Sequence, residues 1–206
     1  MTSEETLRKD VIRYGKLMSD RRLTFATGGN ISTKLDEGSM LITPSGVRKG
    51  DMRKGDLIVV SLEDGSWEGK LRPSIETPLH TVLYRTGEIM AVVHGHPPFC
   101  TALAVAGVPL LTRMVPEGVI MLGDVPLIPY RTPGTRDLAD ALVNAGGDGR
   151  GYLMERHGAI TVGNDLEQAF NRLEEMEFLA EVQVRTMSLG GARELPPEEV
   201  KRILDI

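Results

Sequence analysis

The segment Ile89-Met-Ala-Val-Val-His-Gly-His-Pro-Pro-Phe99 constrains this chain most tightly: an apolar run ends in two histidines one residue apart and is then stopped by two prolines. On a β-strand, residues i and i+2 project from the same face, roughly 6.5–7 Å apart. His94 and His96 can therefore converge on one point. Gly95 leaves the opposite face without a side chain, and Pro97-Pro98 cannot extend a hydrogen-bonded ladder, so the pair belongs at a strand end. Strand ends are where open α/β sheets place their sites. Neutral imidazole is a favoured zinc ligand. The pair alone fits equally well two satisfied histidines at a sheet margin, so other residues must decide.

The chain of 206 residues is within the range of one domain, here expected to span 1–206, and is long enough to bury a core. Only 4% of it is aromatic, so aliphatic side chains and ten methionines must fill that core. A net charge of −5 with no long Lys/Arg run argues against a nucleic-acid surface. The absence of about 18 consecutive apolar residues excludes an ordinary transmembrane helix. The acidic start Met-Thr-Ser-Glu-Glu does not resemble a secretory signal, and the single Cys100 cannot form an internal disulfide. A cytoplasmic protein is the expectation.

Leu7, Val11, Tyr14 and Met18 follow a helical period over residues 3–20, with Thr2 and Glu5 in the form of a capping box. Two short strands around the Asp36–Ser39 turn make a hairpin, and a third runs from Asp56 to Leu62. The Pro73–Pro78 segment leads into a helix to about Arg85, and Thr101–Ala106 is helical. Val119–Tyr130 reads as one or two strands around the Gly123-Asp124 turn. A helix capped by Thr135 runs to about Asn144, and strands at 151–154 and 159–162 flank Glu155–Gly158. A long helix covers 166 to about 187 and a short one 196–204. Several strand connections are too short for parallel crossovers, so the expected fold is α/β: a mixed, largely antiparallel sheet with helices on its faces.

His157, beside Gly158 between two short strands, is a natural third ligand at a sheet end, and three histidines fit a catalytic zinc with an open position. Glu76 is a candidate base or further ligand. Taken singly it reads as a solvated carboxylate at a helix start. His80, one turn along, reads as a packing or surface residue, and Cys100 as a small buried hydrophobe. The loops Thr27–Asn30 and Thr43–Gly46, with the Ser74 hydroxyl and Arg72, offer the amides and hydroxyls that bind phosphate, although each is also ordinary turn chemistry.

Taken together, TGGNIS (27–32), ITPSG (42–46), PSIE with a following LH (73–80), HGHPPF (94–99), GTRDL (134–138) and HG (157–158) resemble, in order and over nearly the whole chain, the class II aldolase/adducin superfamily, most of all its zinc-dependent aldolases of the L-fuculose-1-phosphate type. The resemblance implies that His94, His96 and His157 bind Zn2+, with Mn2+, Co2+ or Fe2+ as other occupants. It implies Glu76 as catalytic acid/base, and Gly28, Gly29, Asn30, Thr43, Gly46 and Ser74 as the phosphate site. The activity implied is cleavage of a ketose 1-phosphate to dihydroxyacetone phosphate and a short aldehyde through an enediolate, in a homotetramer with sites at subunit junctions. Three features bear on this. Glu76 stands where related 4-epimerases usually carry Asp. Ile75 replaces a second phosphate-binding serine. The stretch 111–118 lacks the tyrosine proton donor of fuculose-type aldolases and leaves Glu117, Arg113 or Tyr130 as substitutes. A decarboxylase, dehydratase or 4-epimerase of a phosphorylated sugar are alternatives on the same scaffold. So is a non-catalytic adducin-like module, against which stand the three histidines, Glu76 and a chain stopping just after its last helix.

Overall fold

The computed structural model describes residues 3–86 and 88–205. Helix α1 (Glu4–Asp20) is capped by the Ser3 hydroxyl, which accepts from Thr6 N–H. The Thr2 half of the expected capping box lies outside the described residues. Strands β1 (Asn30–Lys34) and β2 (Ser39–Ile42) form the hairpin, turned by Asp36, whose Oδ1 accepts from Gly38 N–H and Ser39 Oγ–H. β3 (Ile58–Ser61) pairs with β2. Then come α2 (Thr77–Thr86), β4 (Ala91–Gly95), α3 (Pro98–Ala106), α4 (Pro116–Met121), β5 (Leu127–Ile128) and α5 (Arg136–Val143). The hairpin β6 (Gly151–Met154) and β7 (Gly158–Gly163) precedes α6 (Leu166–Thr186) and α7 (Pro197–Leu204).

The described residues form one seven-stranded sheet in the order β3-β2-β1-β4-β7-β6-β5, antiparallel throughout except between β5 and β6. Its strands alternate between two apolar layers. Ile31, Leu41, Ala91, Val93 and Ala159 pack with α1, α3 and α6 through Met18, Leu103, Leu173 and Met176. Met40, Ile42, Val92, Ile160 and Val162 pack with α2 and α5 through Leu79, Leu83, Leu138 and Leu142. The result is the expected mixed, largely antiparallel α/β sheet between helices. No helix among the described residues is long and apolar enough to cross a membrane.

One expected segment differs. Val119–Tyr130 begins inside α4 and contributes only the two-residue β5. Pro116 presets the first helical turn, Val119 and Leu122 bury one helical face, and Gly118 lies so close to the Thr112 carbonyl that a Cβ there would sit 2.0 Å from the oxygen. Those tertiary contacts override the β-branched character of the run. Helix α3 also starts three residues earlier than expected, at Pro98, where a missing N–H costs nothing.

Gly95 shows how tightly the sheet end is closed. A Cβ on it would lie 2.5 Å from the Leu23 carbonyl and 3.1 Å from Met18 Cε. Gly95→Ala is expected to lower stability by about 1–3 kcal/mol, read as a reduced urea midpoint at unchanged slope.

Candidate metal centre

His94 is the next-to-last residue of β4, and His96 lies one residue past its end, where its N–H donates to Leu23 O at 2.9 Å. The tight turn from β6 to β7 carries His157, preceded by Arg156 at φ 54, and His157 N–H donates to Met154 O at 3.1 Å. Because Gly95 pairs with Ala159 across β4 and β7, this turn is delivered beside the end of β4. The ring centroids of His94 lie 4.9 Å from His96 and 4.7 Å from His157, and the latter two are 5.4 Å apart. One nitrogen from each ring lies within 4.8 Å of the others.

His94 Nδ1–H donates to Ala159 O at 2.9 Å, which leaves Nε2 without a proton when the ring is neutral. His94 Nε2 and His96 Nε2 are both buried with no hydrogen-bond partner. Buried polar atoms without partners are costly, and a metal ion is the natural partner for converging imidazole nitrogens. Three imidazoles with a carboxylate beside them fit a divalent ion of the zinc type, though such a set does not discriminate among zinc, manganese, cobalt and iron. Burial pushes His96 down to about 3 and His157 to about 4, so both rings stay neutral and keep lone pairs for a ligand.

Glu76 stands immediately before α2 and is only 5% exposed, which corrects its reading as a solvated carboxylate. The bridge between Pro44 and Pro73 and the bond from Ser74 N–H to Thr43 O tie its segment across the sheet end. Its Oε2 lies 3.2 Å from His94 Nε2 and accepts from Asn30 Nδ2–H at 2.7 Å, while Oε1 lies 3.3 Å from His157 Nε2. Burial would raise the Glu76 carboxyl, but His94, His157 and Asn30 override it and hold it below the usual carboxylate range. In the metal-free site burial works against a charge on His94 and Glu76 works for it, with a net upward result.

The glycines of the first loop serve close approach. A Cβ on Gly28 would lie 2.8 Å from His96 Nδ1, and one on Gly29, at φ +67, would lie 2.7 Å from His94 O. Gly46, at φ +73, has open space around it. Thr43 Oγ1 accepts from Ile31 N–H at 3.2 Å, and Ser74 Oγ accepts from Asn30 Nδ2–H and Glu76 N–H at 3.0 and 3.3 Å. Both hydroxyls thus retain a proton to donate. Two functional candidates escape the sequence. Lys49, 2% exposed, donates to Thr27 O at 3.1 Å and Val47 O at 2.9 Å and so staples the first loop to the segment following the second, and burial lowers it to about 8. His80, expected to be a packing or surface residue, is fully buried and hydrogen-bonded to Ser32 and Asn30. Glu76, His80 and Tyr84 recur every four residues, which is the signal that could have found it. Cys100 is buried in α3 outside the histidine cluster, Arg113 pairs with Asp124 at 2.6 Å, Glu117 is exposed at the start of α4, and Tyr130 is half exposed after β5.

Metal analysis of protein loaded with zinc and desalted should find about one ion per chain, and His94→Ala, His96→Ala or His157→Ala should each lower affinity by about tenfold or more. For the metal-free protein, His80, His96 and His157 titrate below the unfolded value of about 6.5, so the unfolded chain takes protons first and stability falls as pH drops below it. Glu76, also lowered, acts in the same direction at lower pH. His94, which is raised, opposes them, its contribution being present below the unfolded value and lost as pH rises through the folded one. The melting temperature of chelated protein should therefore fall from about pH 7 to about pH 5.

Residues 9–184 match the family model described as the Class II Aldolase and Adducin N-terminal domain. The chain is 34% identical over 200 residues to a 5-deoxy-D-ribulose 1-phosphate aldolase of Bacillus thuringiensis serovar kurstaki, covering 95% of this chain and 92% of the relative. It is 35% identical over 196 residues to a 3-oxo-tetronate 4-phosphate decarboxylase of Cupriavidus necator, covering 93% and 89%. A solved L-fuculose 1-phosphate aldolase superposes with a TM-score of 0.89 at 32% identity, over 100% of this chain and 97% of that one. With this sheet, these loops and this extent of similarity, the chain belongs to the class II aldolase and adducin N-terminal domain family.

Proposed function

We propose that this protein is a cytoplasmic, metal-dependent aldolase that reversibly cleaves a ketose 1-phosphate to dihydroxyacetone phosphate and a short aldehyde. One observation carries the reading: three imidazoles converge within reach of a buried carboxylate held in its anionic form. A zinc-type ion on His94, His96 and His157 would supply a Lewis acid for the oxygens of the substrate. Glu76 acts on protons. As the carbon–carbon bond breaks, the hydroxyl of the departing aldehyde half passes its proton to Glu76, the bond's electron pair passes to the enediolate of the other half, and Glu76 returns the proton to the enediolate carbon from which the aldehyde left.

The phosphate is assigned to Gly28, Gly29, Asn30, Thr43, Gly46 and Ser74. Supporting this, the Ser74 and Thr43 hydroxyls accept from the protein and keep their own protons for an anion. Asn30 serves from behind, since its amide holds Ser74 and Glu76 together. Lys49 adds a cation that acts on His94 and His96. The proposed assembly is a homotetramer with sites at subunit junctions, and Phe25 and Ile75, exposed on the loops beside the site, are surfaces a neighbouring subunit would cover.

The similarity to a 3-oxo-tetronate 4-phosphate decarboxylase, joined with Ile75 in place of a second serine, favours a second reading: decarboxylation of a phosphorylated 3-oxo acid at the same centre. There carbon dioxide would depart in place of an aldehyde, leaving an enolate that Glu76 protonates. The two are separated by incubating zinc-loaded protein with dihydroxyacetone phosphate and a panel of short aldehydes, and in parallel with a 3-oxo-4-phosphate acid. Chelator-sensitive condensation products are expected in the first arm, with Glu76→Gln lowering kcat by about 10²–10⁴-fold while metal content holds. Carbon dioxide release without condensation would transfer the assignment to the decarboxylase.

A further inference from the structure

From Glu76 Oε2 a buried chain of polar groups, which the acid–base chemistry just proposed does not itself use, runs to α2. Asn30, Ser32, His80 and Tyr84 are all buried, with His80 and Ser32 fully so. Tyr84 Oη lies 2.7 Å from Ser32 Oγ, Ser32 Oγ lies 2.6 Å from His80 Nδ1, His80 Nε2 lies 2.5 Å from Asn30 Oδ1, and Asn30 Nδ2 lies 2.7 Å from Glu76 Oε2.

The direction of every bond follows from one end. Asn30 Nδ2 lies 2.7 Å from Glu76 Oε2 and also donates to Ser74 Oγ, so the Asn30 group facing the carboxylate is the amide NH2. The Asn30 oxygen then faces His80, whose Nε2 must carry a proton. The His80 imidazole is fully buried with no carboxylate in direct contact, and burial outweighs the pull of Glu76 and lowers it to about 3, so the ring is neutral. Its Nδ1 is therefore bare and accepts the Ser32 hydroxyl proton, and Ser32 in turn accepts from Tyr84. All donors point toward Glu76. Reversing the His80 tautomer would set a lone pair against the Asn30 oxygen, or flip the amide and set its oxygen against the carboxylate.

The consequence falls on the two carboxylate oxygens. Oε2, 3.2 Å from His94 Nε2, is committed to the Asn30 N–H, whereas Oε1, 3.3 Å from His157 Nε2, is buried and accepts no hydrogen bond. Resting on the reading of Glu76 as the acid/base, we propose that His80 is a positioning residue which, through Asn30, reserves Oε1 of Glu76 as the one oxygen that takes and returns the catalytic proton.

Two measurements test this. In zinc-loaded protein labelled with ¹⁵N-histidine, the His80 ring, identified by its loss in a variant, should be in the Nε2–H form. A Nδ1–H ring overturns the proposal whatever the turnover. In the second, His80→Met removes the donor at similar bulk, and His80→Gln returns an N–H near the position of Nε2. His80→Met should keep its zinc and its KM while kcat falls by about 10- to 100-fold, and His80→Gln should recover most of that loss. Unchanged kcat in His80→Met, or an equal fall in both variants, overturns the proposal. If the wild-type protein turns over neither class of substrate, the functional reading fails, and the tautomer decides the relay separately.

Discussion

The antiparallel pairing of β1 with β4, which sets Asn30 opposite His94, is the constraint on which the site depends. A slip of one residue would turn Asn30 and Ser32 toward the α1/α6 layer and leave His94 and Glu76 without their amide neighbour. On the other side of β4, the pairing of Gly95 with Ala159 is as demanding, since it brings His157 and the Ala159 carbonyl up to His94. Three chain segments far apart in sequence meet because two ladders share one central strand.

The apolar layers make that register worth keeping. Val92, Ile160 and Val162 lie on the same face as His94, and burying them against Leu79 and Leu83 of α2 presses the helix onto the sheet. That helix carries His80 and Tyr84, and the turn before it carries Ser74 and Glu76. Burial of polar groups at this seam is costly unless each finds a partner, and the relay from Tyr84 to Asn30 supplies them. Around the histidine cluster, the buried polar atoms left without a partner are His94 Nε2, His96 Nε2, His157 Nδ1 and Glu76 Oε1.

Much of this was legible in the residues. The HGH spacing and the prolines after it locate a strand end, helices α1 and α6 fall where their periods put them, and α5 starts at its Thr135 cap, because those signals are local; the cap of α1 is Ser3, one residue past the expected Thr2. What was not legible is set by contacts between distant segments. Val119 belongs to a helix because of Pro116 and the Thr112 carbonyl. Glu76 is buried because Pro73 bridges to Pro44. Gly28 and Gly29, read as makers of an anion loop, also lie within contact distance of His96 and the His94 backbone. His80 has a stripe of partners at helical spacing, but a histidine on such a stripe is just as ordinary in packing.

Ile75 sits between two residues, Ser74 and Glu76, whose side chains are pinned by Asn30, yet it is itself 67% exposed. Chemistry and reach are thereby uncoupled within three consecutive positions. Position 75 can therefore be exchanged without touching the hydrogen bonds that hold Ser74 and Glu76. A scaffold arranged in this manner leaves its edge free to vary while its buried polar bonds stay fixed.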